Sequence, residues 1–95
     1  MMSKIPVKED LGSMKKEDVN NEILRVGIIA ELDAVNLYEQ LAAMTTDANI
    51  RKMLLDIAKE EKTHVGEFQA LLLINDKEQK KELEEGKKEV DELRS

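Results

Sequence analysis

The sequence predicts an all-α fold: a two-helix antiparallel hairpin, a short C-terminal helix, and dimerisation of the hairpin into a four-helix bundle. Apolar residues recur with helical period over two long stretches, interrupted once by Thr45-Thr46-Asp47-Ala48-Asn49. One Pro and four Gly leave too little turn chemistry for a fold of many strands. With one Tyr, one Phe and no Trp the core must be aliphatic, and 95 residues bury too little surface to leave much stability to spare. Self-association is therefore expected.

Taken in order, residues Met1 to Ser13 mix Lys, Glu, Pro6 and Gly12 without helical period, which reads as a flexible arm. The hairpin is expected over residues 14–75. Its first helix begins between Ser13 and Asn20, where no capping box marks the start, because Ser13 and Glu17 are one residue too far apart. Val19, Ile23, Leu24, Val26, Ile28, Leu32, Val35 and Leu41 carry it to about Met44, on the order of 25 residues and nearly 40 Å. Thr46 or Asp47 is placed to cap the second helix, and so short a link makes the two helices antiparallel neighbours. That helix runs from about Asn49 to Leu73, with Ile50, Leu54, Ile57, Phe68, Leu71 and Leu72 on one side. Residues 76–95 are rich in Lys and Glu with sparse Leu83, Val90 and Leu93, a composition that supports a short, weakly docked helix or tail with Gly86 near its middle.

A net charge of −6 argues against general nucleic-acid or anionic-membrane binding and suits a protein that attracts cations. No stretch approaches the roughly 20 apolar residues of a membrane span, and Met1 to Asp10 lack a signal-peptide core. A soluble, cytoplasmic protein is expected. The absence of cysteine removes disulfides, thiolate metal sites and Cys nucleophiles together.

The chemistry concentrates at Glu60-Glu61-Lys62-Thr63-His64, where the one histidine follows a carboxylate by three positions and shares its helix face. Alone, that spacing is weak: 21 of the 95 residues are acidic, so it arises by chance about one time in five. Its surroundings are more specific. Leu54, Ile57, Phe68 and Leu72 place Glu61 and His64 within an apolar stripe, where a polar group is costly unless paired or coordinated. On the first helix Leu24, Gly27, Ile28, Ala34, Val35, Tyr38 and Ala42 set Glu31 in a similar stripe. A helical-bundle di-iron site takes a Glu from each of two helices and Glu-x-x-His from the other two, and this chain supplies one of each. A two-fold dimer would complete both the ligand set and the four-helix core.

The block Ala30-Glu31-Leu32-Asp33-Ala34-Val35-Asn36-Leu37-Tyr38-Glu39-Gln40, followed by Glu60-Glu61-Lys62-Thr63-His64, resembles the encapsulated ferritins, two-helix relatives of ferritin and rubrerythrin. The likeness covers roughly Glu22 to Leu73 and includes the spacing between the motifs. It implies a ferroxidase whose di-iron centre lies in the dimer interface, dimers assembled into a decameric ring, and Fe(II) oxidised for storage inside an encapsulin shell. By position Glu31, Glu61 and His64 match the iron ligands, and Tyr38 matches a tyrosine beside the site. The family also carries acidic residues next to the first ligand that bind metal on the way in. Here those positions are Ala30 and Asp33, so that inlet is altered.

Family members that travel as cargo end in a short hydrophobic targeting peptide, which Glu89-Val90-Asp91-Glu92-Leu93-Arg94-Ser95 does not resemble, and some archaeal relatives are fused to the shell protein. A shortened cargo, the front of a fusion and a free-standing relative all stay open. Two other functions compete: a non-catalytic helical dimerisation or adaptor module, and rubrerythrin-like peroxide reduction, against which the lack of a cysteine-ligated iron site counts.

Overall fold

A computed structural model describes residues 15–95 as three helices, α1 (Lys16–Met44), α2 (Ala48–Asn75) and α3 (Lys77–Arg94). The arm expected at residues 1–13 lies outside the described residues. Among those described there is no strand, so the all-α expectation holds.

α1 starts without a side-chain cap at Lys15, and Glu17 and Asp18 in its first turn suit the positive end of the helix dipole. Its end is tied to the start of α2 by three residues. Thr45 Oγ1 accepts from the Asp47 N–H at 3.1 Å, and Asp47 Oδ1 accepts from the N–H groups of Asn49 and Ile50, both at 2.9 Å. Asp47, one of the two expected caps, is the N-cap of α2. Arg51 then reaches back, donating from Nε to the Ala42 carbonyl at 3.2 Å and from its guanidinium to the Thr45 carbonyl. Carbonyls that the end of α1 would leave without partners are thereby satisfied.

The seam between α1 and α2 follows alternating steps of four and three. On α1 the half-buried or buried positions Leu24, Ile28, Glu31, Val35, Tyr38 and Ala42 form one row, and on α2 Leu54, Ala58, Glu61, Val65, Phe68 and Leu72 form the other. Leu24, Val35, Ala42, Ala58 and Leu72 are the buried hydrophobic residues among those described. α2 carries a second row with the same spacing on its open side: Ile50, Met53, Ile57, Glu60, His64, Glu67, Leu71 and Ile74. Ile50, Met53, Leu71 and Ile74 are all close to half exposed or more. One hairpin therefore closes one seam and leaves another uncovered.

Asp76 alone separates α2 from α3. Its N–H donates to the Leu72 carbonyl at 2.7 Å, closing α2, while its Oδ1 accepts from the Gln79 N–H at 3.0 Å, opening α3. Its Oδ2 accepts from Arg25 of α1 at 3.3 Å. α3 runs for 18 residues unbroken through Gly86, which lies near its middle as expected. Lys, Glu, Gln and Leu are strong helix formers, and the pairs Lys87–Asp91 (2.9 Å) and Lys88–Glu85 (3.4 Å) add to them. No residue of α3 is buried. Extents of 49 × 44 × 19 Å describe a thin molecule in which α3 projects sideways from a hairpin two helices wide.

Candidate metal centre

Glu31 from α1 and Glu61 and His64 from α2 converge midway along the hairpin. His64 Nδ1 lies 3.4 Å from Glu61 Oε2 and 3.5 Å from Glu31 Oε2. One ligand atom from each of the three residues lies within 4.8 Å of the others. Donors sharing one ion at about 2.0–2.2 Å stand about 3 to 3.4 Å apart, so small movements bring this set onto a single cation.

The two carboxylates occupy the inner seam and the imidazole stands on the boundary of the open row, with side-chain exposures of 20% for Glu31, 19% for Glu61 and 46% for His64. Residues three apart are displaced by about 60° around a helix, which accounts for the difference. Glu31 Oε2 is buried and accepts no hydrogen bond. A buried carboxylate oxygen without a donor is costly, and a cation at this point would relieve it. Carboxylate with imidazole suits Fe(II), Mn(II) or Zn(II). On this observation the residues fit a metal centre.

Beside the ligands opens a cleft of about 370 Å³ lined by Leu24, Glu31, His64, Glu67, Phe68 and Leu71. Its lining combines three apolar side chains with two carboxylates, Glu31 and Glu67, and the imidazole. Glu67, which the helical period sets on a solvated or inter-subunit face, borders the cleft; its place one turn beyond His64 is the signal that marks it. Gly27, by contrast, reads as a small residue allowing close approach, and Phe68 does cross it there.

The remaining residues singled out in the sequence lie around this cluster rather than in it. Tyr38 is half-buried on the inner seam seven residues beyond Glu31, about 10 Å along the helix, and does not line the cleft. Glu39 pairs across the hairpin with Lys62 at 3.1 Å. Glu60 is exposed on the open row, and Asp33 and Ala30 are half-buried on α1.

The family model described as EncFtn-like matches residues 6–87. The chain belongs to the EncFtn-like family. Over 72 residues, 76% of its length, this EncFtn-like chain is 65% identical to a ferritin-like-encapsulin shell fusion protein of Pyrococcus furiosus. That stretch is about a fifth (21%) of the relative's length. The crystal structure of the encapsulated ferritin domain from Pyrococcus furiosus matches the EncFtn-like fold with a TM-score of 0.81 and 53% identity, over 95% of each chain. The hairpin with a projecting third helix is thus an EncFtn-like fold, and no helix among the described residues is long and apolar enough to cross a membrane.

Proposed function

We propose that this chain is a ferroxidase, oxidising Fe(II) to Fe(III) at a di-iron site that two copies assemble across a dimer interface. The observation that carries this reading is the convergence of Glu31, Glu61 and His64, with one carboxylate oxygen of Glu31 buried and accepting no hydrogen bond. Three ligand side chains are half of a bundle di-iron set. The open row of α2, with His64 at its centre and Ile50, Met53, Leu71 and Ile74 at its ends, is the surface on which a second copy supplies the other half.

In this reading Glu31 and Glu61 hold Fe(II) through carboxylate oxygens and His64 through an imidazole nitrogen, while the apolar ends of the interface keep bulk water away. Hard oxygen donors favour the ferric state. Iron pairs held together supply two electrons jointly to dioxygen. Tyr38 is assigned beside the site from the family likeness, and the acidic surface draws cations toward it. The fusion relative supports an association with an encapsulin shell; the cytoplasmic compartment and the decameric ring of dimers are assigned from the family likeness.

The test is aerobic Fe(II) oxidation followed by absorbance, with Glu31→Ala and His64→Ala beside the parent. The parent is expected to oxidise Fe(II) well above the buffer rate and both variants to approach it. Equal rates in all samples would sink the ferroxidase reading.

A further inference from the structure

Gly27 lies one turn before Glu31 on α1, and Phe68 lies one turn after His64 on α2. A Cβ added at Gly27 would stand 2.5 Å from Phe68 Cε1, 2.7 Å from Cδ1 and 2.8 Å from Cζ, whereas at Gly66 or Gly86 it would meet nothing within 4 Å. The one phenylalanine of the chain therefore rests its ring directly on the α1 backbone. It does so on the wall of the same cleft that Glu31 and His64 line.

We infer that Gly27 and Phe68 are positioning residues of the metal centre, setting the separation between the turn that bears Glu31 and the turn that bears Glu61 and His64. The inference rests on the metal-centre reading of those three side chains. Ordinary contact begins at 3.4 Å, so an alanine at 27 requires the ring to retreat by about 0.9 Å, the difference from 2.5 Å. Either the ring moves along the cleft wall toward His64 or the helices separate there. Both displacements fall on a ligand set whose His64–carboxylate distances are 3.4 and 3.5 Å, and such sets hold their geometry within about 0.5 Å. Helix contacts elsewhere on the seam use Ala58 and Ala42, which accept a Cβ. Only at the turn adjoining the ligands is the Cβ absent and its place taken by a ring.

The probe is Co(II), titrated anaerobically into the full chain and read by its visible absorption, which reports both affinity and ligand geometry. Parent, Gly27→Ala, Phe68→Leu, the double variant and Gly66→Ala are compared at a concentration where sedimentation gives the same oligomer for all. Gly27→Ala is expected to weaken Co(II) binding by about 10–100-fold, the range for residues that orient metal ligands, and to alter the absorption band. Phe68→Leu removes the ring atoms that clash, so the double variant returns to within about threefold of Phe68→Leu alone. Gly66→Ala, which adds its methyl to open space, binds like the parent.

Parent-like affinity in Gly27→Ala overturns the inference, as does a double variant no better than Gly27→Ala. If circular dichroism shows Gly27→Ala to be unfolded, the double variant decides: recovery of fold and Co(II) affinity supports the inference, and failure to recover either overturns it. A parent that binds no Co(II) overturns the metal-centre reading itself, and this inference with it.

Discussion

Replacing Glu31 by leucine separates a residue kept for metal from one kept for stability. Its side chain is 20% exposed, its Oε2 is buried, and no donor reaches that oxygen. The near neighbour, His64 Nδ1 at 3.5 Å, offsets part of that cost when it carries a proton, in the neutral ring or the charged one. An unsatisfied buried acceptor costs about 1–3 kcal/mol, and the proposed dimer would worsen this by gathering four carboxylates at one place. Allowing for the part that His64 offsets, Glu31→Leu should stabilise the metal-free protein by about 1 kcal/mol or somewhat more. In a domain of this size each kcal/mol is worth about 4–8 °C of Tm. The assay is thermal unfolding by circular dichroism at fixed protein concentration, first in chelator and then with Co(II) in excess. Without metal the variant is expected to melt at least about 4 °C above the parent. With Co(II) at a hundred times its Kd the parent gains about 2.7 kcal/mol, the variant gains nothing, and the order reverses. A metal-free variant that melts below the parent would refute the reasoning, because Glu31 would then be part of an ion pair that holds the fold together.

Two further outcomes concern the parts around the site. Asp47→Ala removes the acceptor of two 2.9 Å hydrogen bonds at the start of α2 and should lower stability by about 1 kcal/mol, seen as a lower urea midpoint with an unchanged slope. Co(II) affinity should not move, since Asp47 is about 21 Å along the helix from Glu61. Met53→Asp, at a residue 55% exposed in the single hairpin, should leave helical content intact while placing an unpaired charge in the proposed dimer seam. Its dimer dissociation constant, by sedimentation, should rise at least about tenfold, and an unchanged value would mean that the open row of α2 is not the dimer interface.

The hairpin was legible because its signals are local. Periodicity ran to Met44 and resumed after a cluster of capping residues, and Asp47 is the residue that caps. Glu31, Glu61 and His64 stood out for the same reason, each being polar where its stripe is apolar. What the sequence did not disclose depends on register between helices. Gly27 reads as a place of close approach, but that Phe68 is what falls across it emerges only once α2 is slid into place. Arg51 carries no signal in the sequence and finds its role only when the turn folds back and offers it the carbonyls of Ala42 and Thr45. α3 was expected from its composition; its helicity comes from propensity and charge pairs rather than from an apolar face that docks.

Glu61 and His64 were expected to share one stripe, and the 60° between them turns out to matter more than the face they share. Glu61 lies on the seam that the hairpin closes by itself, while His64 belongs to the row left open. A cation held by both therefore sits where intramolecular packing ends and intermolecular packing would begin. If a second copy supplies the remaining ligands, metal binding and dimerisation draw on the same contacts. By linkage each must then strengthen the other by the same factor. The small buried core of the single hairpin fits this arrangement: with so little burial of its own, the fold leaves the metal and the partner to contribute a large share of the stability of the assembled state.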